Sequence, residues 1–81
     1  MTEVVLYGKA GCHLCEDARA VVAAVRSRRE FQLEEVDVSL DPVLNARYGE
    51  RIPVVVVNGE EAFELGLSAP ELEHLLDTVT A

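Results

Sequence analysis

Two cysteines in a Cys-x-x-Cys motif follow closely on a short apolar segment, and this arrangement constrains the fold more than any other feature of the chain. The apolar residues 4–7 predict a buried strand, the loop after it contains Gly8 and Gly11, and an apolar periodic segment begins after Cys12. Cys12 therefore falls where a helix is expected to start. Unpaired backbone N–H groups and the helix dipole stabilise a thiolate there, so we expect the pKa of Cys12 to be lowered.

The spacing of the two cysteines favours chemistry over a structural role. Cys12 and Cys15 are the only cysteines among 81 residues, and a bridge between them would close a very short ring. Such a ring restrains little of the unfolded chain, whereas a structural disulfide normally joins distant segments. A chain in which about half of the residues are apolar can bury a modest core without such a bridge. We therefore predict a reactive dithiol within a single domain spanning residues 1–81.

The charge of the chain limits its partners. Acidic residues outnumber Lys and Arg by 15 to 7, which gives a formal net charge of −8. This charge repels nucleic-acid phosphates and anionic lipid surfaces. No segment approaches the ~20 apolar residues that span a bilayer, and no signal-peptide pattern marks the N-terminus. We therefore predict a cytoplasmic protein without nucleic-acid or membrane partners.

The first half of the chain predicts two parallel strands joined by a helix. Residues 3–7 and 32–38 are the strand segments, and a long helix over residues 13–29 places them parallel. A short helix then begins at Pro42, with Asp41 as its N-cap, and ends before Gly49. The apolar stripe expected to face the core on the long helix comprises Leu14, Ala18, Val21, Val22 and Val25.

The second half predicts an antiparallel hairpin followed by a final helix. Residues 52–57 are the clearest strand, and Asn58-Gly59 is a strong hairpin signal before a partner strand at residues 61–65. Ser68 and Glu71 have the spacing of a capping box that opens the last helix. The resulting order, βαβαββα, predicts an α/β fold with a four-stranded mixed sheet flanked by helices. The buried stripe of the last helix comprises Leu72, Leu75, Leu76 and Val79.

Three local features together resemble the glutaredoxins of the thioredoxin superfamily. They are a strand before Lys9-x-x-Cys12-x-x-Cys15, a helix starting at that motif, and a later strand entered through Ile52-Pro53. The resemblance extends over nearly the whole chain and is greatest to short, acidic glutaredoxin-like proteins of bacteria. It implies a thioredoxin/glutaredoxin-like fold and a thiol–disulfide oxidoreductase that reduces protein or low-molecular-weight disulfides.

The resemblance assigns different roles to the two thiols and to the proline. It implies that Cys12 is the exposed nucleophile and that Cys15 is the more buried resolving thiol. Pro53 is similar to the cis-proline that faces the dithiol in this fold, where the preceding backbone, here that of Ile52, pairs with a cysteinyl peptide or glutathione. The alternative for Pro53 is a proline tolerated at the first residue of a strand.

Further residues near the motif are candidates for substrate binding. Lys9 occupies the position where similar glutaredoxins hold a glutathione carboxylate, although a lone loop lysine is also a common solvated charge. His13 either supports the Cys12 thiolate or remains neutral and faces solvent. The residues assigned to substrate binding are Lys9, His13, Leu14, Ile52 and Pro53.

One part of the sequence departs from the glutaredoxin pattern. Typical glutaredoxins carry Gly-Gly followed by Asp before the last helix, where these residues hold one end of glutathione. Here only Gly66 remains, no aspartate follows it, and the Ser68 hydroxyl is expected to cap its own helix. We therefore expect no bound cofactor, with glutathione or another low-molecular-weight thiol acting only as a co-substrate.

Two other functions remain open from the sequence. Cys12 and Cys15 are candidate ligands for zinc, copper(I) or an iron–sulfur cluster, with His13 or a second subunit completing the shell. A redox-inactive interaction domain is the other alternative, although such a module does not need both thiols. For the oxidoreductase we expect a monomer, a disulfide-containing protein or small molecule as substrate, and a reductase or thiol as electron donor.

Overall fold

The computed structural model describes residues 2–80, and its elements follow the predicted order. The expected domain over residues 1–81 also includes Met1 and Ala81, which lie outside the described residues. The four strands are β1 (Glu3–Gly8), β2 (Gln32–Asp37), β3 (Val54–Val57) and β4 (Glu60–Glu64). The helices are α1 (His13–Arg26), α2 (Pro42–Tyr48) and α3 (Ala69–Thr80), and a 3₁₀ turn, Val38–Leu40, precedes α2.

The strands form one mixed sheet in the order β2-β1-β3-β4. β1 runs parallel to β2 and antiparallel to β3, and β4 runs antiparallel to β3. Gly8 pairs with Asp37, Tyr7 with Val54, and Val54 with Glu64. The carboxyl ends of β1, β2 and β4 therefore meet the amino end of β3 at one edge of the sheet. We call this the dithiol edge, because the loop carrying Cys12 leaves from it.

Alternation along the strands divides the apolar interior into two parts, one on each face of the sheet. The first, the main core, includes β-strand residues packed against α1 and α3, and its buried members are Val4, Leu6, Ala18, Val22, Val25, Phe31, Val55, Val57, Leu72 and Leu76. The second, the thiol cluster, lies on the face covered by the 3₁₀ turn and α2, and its buried members are Cys15, Val38, Tyr48, Ile52, Val54 and Val56.

Helix α1 begins at His13, as predicted, but ends earlier than predicted. It ends at Arg26 rather than Arg29, and the Ser27 hydroxyl donates to the Ala24 carbonyl at 2.6 Å, a local bond that competes with helix continuation. Its buried stripe is Cys15, Ala18, Val22 and Val25. The prediction that Leu14 faces the core is wrong, because the 3.6-residue period places Cys15 on the buried side of the first turn and leaves Leu14 49% exposed.

The hairpin is confirmed, with a later strand start than predicted. β3 begins at Val54, because Pro53 has no N–H to donate to the sheet. Asn58 and Gly59 both have positive φ, 51° and 84°, as a type I′ turn requires.

Both predicted helix caps are also present. The Asp41 carboxylate accepts the N–H of Val43 at 2.9 Å, and Ser68 and Glu71 bond each other reciprocally as a capping box. On α3 the expected buried stripe holds at Leu72 and Leu76, whereas Val79, near the end of the helix, is 39% exposed. No helix among residues 2–80 is long and apolar enough to cross a membrane.

Candidate active site

Cys12 is the N-cap residue of α1, as predicted. Its backbone is extended, with φ −95° and ψ 115°, and its carbonyl accepts the N–H of Glu16 at 3.0 Å. The Cys12 sulfur accepts the backbone N–H of Cys15 at 3.3 Å, within the range of a sulfur hydrogen bond. The thiol therefore takes the place of the Ser, Thr or Asp side chain that commonly caps a helix, and it is only partly buried.

Hydrogen bonds lower the pKa of Cys12. The largest cause is a hydrogen bond with the Cys15 side chain, followed by a smaller opposing effect of burial. Backbone N–H groups of Cys15 and Leu14 and the positive charge of Lys9 lower it further. All of these favourable partners stabilise a negative sulfur, so Cys12 is the thiol of the pair that ionises more readily.

Cys15 has the opposite environment. It is 1% exposed within the thiol cluster, and this burial is the main reason that its pKa is raised. Its hydrogen bond with Cys12 raises the pKa as well, while the backbone N–H of Lys9 acts in the other direction. Both cysteines are free thiols in this structure. The site is thus an asymmetric dithiol, with one accessible thiol whose pKa is lowered and one buried thiol whose pKa is raised.

The Ile52-Pro53 segment enters the sheet at the thiol cluster. The Ile52-Pro53 peptide bond is cis, in agreement with the expectation from the resemblance. Ile52, 7% exposed, belongs to the thiol cluster together with Cys15, and Cys12 packs against the same cluster. Pro53 is fully buried and lies in the chain between Ile52 and Val54, two members of that cluster. The fold therefore brings Ile52 together with both cysteines, although about forty positions separate them along the chain.

The remaining candidates lie at the rim of the site. Lys9 is exposed and lines a cleft of about 420 Å³ that also contains Cys15. His13 has a side chain 97% exposed, with Nδ1 4.0 Å from a Glu16 carboxylate oxygen, which agrees with the solvent-facing alternative. Leu14, inside the motif, is half exposed. These three side chains are accessible to a substrate, but the protein's own contacts assign them no role in binding.

Sequence reasoning missed two residues at the dithiol edge. Gly8, the last residue of β1, packs directly against the Cys15 side chain. Asp37, the last residue of β2, accepts hydrogen bonds from the N–H and hydroxyl of Ser39, and these bonds are the main reason that its pKa is lowered. The backbone N–H of Ala10 and the charge of Lys9 lower the pKa further. The predicted parallel pairing of the two strands already implied that Asp37 ends beside this loop, whereas no sequence pattern indicated the contact of Gly8.

An aromatic stack supports the thiol cluster from the side of α2. The rings of Tyr7 and Tyr48 stack with centroids 4.4 Å apart and planes 21° from parallel. The guanidinium carbons of Arg47 and Arg51 lie 5.4 and 5.3 Å from the Tyr48 centroid, which is cation–π distance. Arg51 also donates to Glu61 at 2.6 Å. These contacts tie α2 and the segment before Ile52 to the sheet.

The loop before α3 has the backbone of a tight turn. Leu65 and Gly66 have φ values of 63° and 139°, and the N–H of Leu65 donates to the Arg51 carbonyl at 3.1 Å. The Ser68 hydroxyl is engaged with Glu71 at 2.8 Å, which confirms that this hydroxyl serves the helix cap.

No group of three or more His, Cys, Asp and Glu side chains within the described part of the chain is arranged to hold a metal ion. Cys12 and Cys15 would therefore need ligands from another molecule to complete a metal site.

The architecture is that of the thioredoxin fold. A mutant thioredoxin from Halobacterium salinarum superposes with a TM-score of 0.76 at 21% identity, covering 99% of this chain and 75% of that one, a likeness of fold alone. The X-ray structure of protein XcR50 from X. campestris has a TM-score of 0.78 at 29% identity, with 93% of this chain and 96% of that chain covered.

Sequence comparison then specifies the family. The model of the glutaredoxin-like domain (DUF836) matches residues 3–78, so the chain belongs to this glutaredoxin-like family. Protein Rv0508 of Mycobacterium tuberculosis is 33% identical over 64 residues, which is 73% of this chain. The matched segment spans 66% of that relative's length.

Proposed function

We propose that the chain is a glutaredoxin-like thiol–disulfide oxidoreductase that reduces protein or low-molecular-weight disulfides. The contrast between its two thiols carries the proposal. Cys12 is accessible and receives N–H and thiol hydrogen bonds that favour the thiolate, while Cys15, three residues later, is buried with a raised pKa. Disulfide exchange needs one thiolate that attacks and a second thiol that is held back until the first has reacted.

The reaction begins with attack by Cys12. Its thiolate attacks one sulfur of a substrate disulfide R–S–S–R′, forms a bond between Cys12 and the R–S group, and releases R′–S⁻. Cys15 then loses its proton to the departing thiolate or to water, and its sulfur attacks the Cys12 sulfur. The bond to R–S breaks and R–S⁻ leaves. The substrate has gained two electrons, and the protein is left with a Cys12–Cys15 disulfide.

The hydrogen bonds of the reduced site suit this sequence of events. The N–H of Cys15 that caps Cys12 at 3.3 Å stabilises negative charge before attack. The negative charge on the Cys12 sulfur raises the pKa of Cys15. Once Cys12 is in a mixed disulfide this charge is absent, so it no longer opposes ionisation of Cys15 at the step where Cys15 must ionise. Ile52, a member of the thiol cluster, and Pro53, which follows it in the chain, are proposed to receive the substrate backbone, with Lys9, His13 and Leu14 at the rim.

Return to the dithiol requires two electrons from outside the protein. We assign this role to glutathione or another low-molecular-weight thiol as co-substrate, or to a reductase, with no resident cofactor. The proposal includes a monomer working in the cytoplasm, where thiol pools keep dithiols reduced. Nucleic acid and membrane are not among its proposed partners, because of the charge of −8.

The decisive experiment compares Cys12→Ser with Cys15→Ser. Wild-type protein is expected to reduce 2-hydroxyethyl disulfide and insulin, and Cys12→Ser to lose this activity because the attacking thiolate is gone. Cys15→Ser should still attack and accumulate a mixed disulfide visible as added mass. Equal full activity of both variants would contradict the dithiol mechanism.

A redox titration gives an independent check. Metal-free protein is equilibrated against a glutathione redox series, and free thiols are counted at each ratio. We expect a two-electron transition between about −280 and −180 mV. Failure to form any reversible Cys12–Cys15 disulfide would overturn the proposed function.

A further inference from the structure

Gly8, a residue outside the dithiol, closely approaches the side chain of Cys15. A methyl group built on Gly8 would lie 3.1 Å from the Cys15 sulfur and 3.2 Å from its Cβ. Such distances are shorter than ordinary carbon–sulfur and carbon–carbon contacts, so a side chain at this position requires Cys15 to shift.

The surroundings of Cys15 restrict that shift. Its side chain is 1% exposed and packed within the thiol cluster, whose buried members include Val38 and Val54, each 0% exposed. The backbone N–H of Lys9, the residue directly after Gly8, lowers the pKa of Cys15. The segment at the end of β1 therefore determines how much space lies beside the Cys15 sulfur.

Gly8 is not required here by its backbone conformation. It is a strand residue paired with Asp37, and its φ is not among the positive values found at Gly11, Gly59 and Gly66. The absence of a side chain matters at this position because of the close approach of Cys15.

We infer that Gly8 is a positioning residue for the resolving step, because it keeps open the space in which the Cys15 sulfur moves to reach Cys12. The inference rests on the proposed oxidoreductase function. A disulfide forms only within a narrow range of geometry, with the Cβ atoms about 3.5–4.5 Å apart and the sulfurs brought to about 2.05 Å. A methyl group beside the Cys15 sulfur hinders that final approach more than the attack by Cys12, which keeps the backbone N–H groups of Leu14 and Cys15 as partners.

The test separates the two chemical steps in the Gly8→Ala variant. Reduced protein is mixed with 2-hydroxyethyl disulfide, quenched with acid at successive times, and analysed by intact mass. Attack by Cys12 adds one mercaptoethanol group, and ring closure removes it again. We expect attack within about twofold of wild type and closure slowed roughly tenfold, so that the mixed disulfide accumulates, in keeping with the cost of overpacking a tight interior.

Gly59→Ala is the matched control. It adds the same methyl group at the hairpin, where φ is 84° and no atom lies within 4 Å of the new carbon. This variant loses stability through backbone strain without touching the dithiol, so its ring closure should match wild type. Slowed closure to the same extent in both variants would indicate general destabilisation and overturn the role of Gly8.

A second comparison tests the contact if the Gly8→Ala variant fails to fold. The Cys15→Gly background lacks both the sulfur and the Cβ that the new methyl group would meet. Restored folding of the double variant supports the Gly8 contact, and a double variant that fails to fold where Cys15→Gly alone folds overturns it.

The wild-type protein distinguishes the inference from the function on which it rests. Absence of ring closure in wild type would contradict the proposed function itself. Normal closure in wild type with equally fast closure in Gly8→Ala would remove only the role of Gly8.

Discussion

Adjacent residues of β3 belong to two different interiors. Val55 points into the main core between the sheet and helices α1 and α3, and Val54 points into the thiol cluster beside Cys15. Both are 0% exposed, so each loses its contact with water completely on folding. They differ in their neighbours, because those of Val55 are apolar side chains without reactive groups, whereas those of Val54 include a thiol of the redox pair.

The two faces of the sheet therefore have different roles, because only the face with the thiol cluster carries the dithiol. The main core contains no titratable side chain among its buried members. The thiol cluster contains Cys15 and Tyr48, and Cys12 and Tyr7 pack against it. A change in the packing of the thiol cluster therefore acts on the dithiol, while an equal change in the main core acts on stability alone.

The largest expected effect comes from truncating these two valines. Val55→Ala and Val54→Ala should each lower the free energy of unfolding by about 2 kcal/mol, since each removes two buried methyl groups and leaves a small cavity. Only Val54→Ala should also change the rate of ring closure. Urea denaturation and the acid-quench assay measure the two quantities, and slowed closure in Val55→Ala equal to that in Val54→Ala would show that the two interiors are not separate.

A smaller effect is expected from two of the helix caps, that of α3 on the main-core face and that of α2 on the thiol-cluster face. Ser68→Ala removes the capping box of α3, and Asp41→Ala removes the N-cap of α2, each at a cost of about 1 kcal/mol. Denaturation curves should show similar losses. Disulfide exchange should respond to Asp41→Ala, because Leu44 of α2 packs against the thiol cluster, and should be unchanged in Ser68→Ala.

The smallest expected change concerns the pH dependence of Cys12. The thiolate is the reacting species, so alkylation by iodoacetamide should slow as pH falls through the pKa of Cys12, which is lowered mainly by its hydrogen bond with Cys15. The midpoint should lie below the ~8.5 of a free cysteine.

Removing the Cys15 thiol tests whether that thiol lowers the pKa of Cys12. In Cys15→Ala the midpoint should rise, because the largest cause of the lowered pKa of Cys12 is gone while the backbone N–H groups remain. An unchanged midpoint would mean that the helix start alone determines the acidity of Cys12. Val55→Ala is the control from the other interior, and its midpoint should match wild type.

Local sequence signals predicted most of the framework. Asn58-Gly59 specified the hairpin, because few other residue pairs accept positive φ at both positions of the turn. Asp41 and Ser68 specified two helix starts, since their side chains supply acceptors for unpaired N–H groups nearby in the chain. Errors occurred where local signals are weakest, at the end of α1 and at the start of β3.

The candidate site was predictable in part for the same reason. The position of Cys12 at a helix start follows from the strand, loop and periodic segment around it, and the helix geometry alone brings the Cys15 N–H to its sulfur. Ile52 and Pro53 were selected through resemblance to the glutaredoxins and not through any local property of their own.

The sequence by itself determined the order of the elements, their caps and turns, and the spacing of the two thiols, because these depend on hydrogen bonds and backbone preferences within a few residues. Tertiary structure alone decided that Tyr48 stacks on Tyr7 and that Gly8 lies against the Cys15 sulfur. These last features depend on the packing of segments distant along the chain, where a difference of a few tenths of an ångström decides which side chain fits.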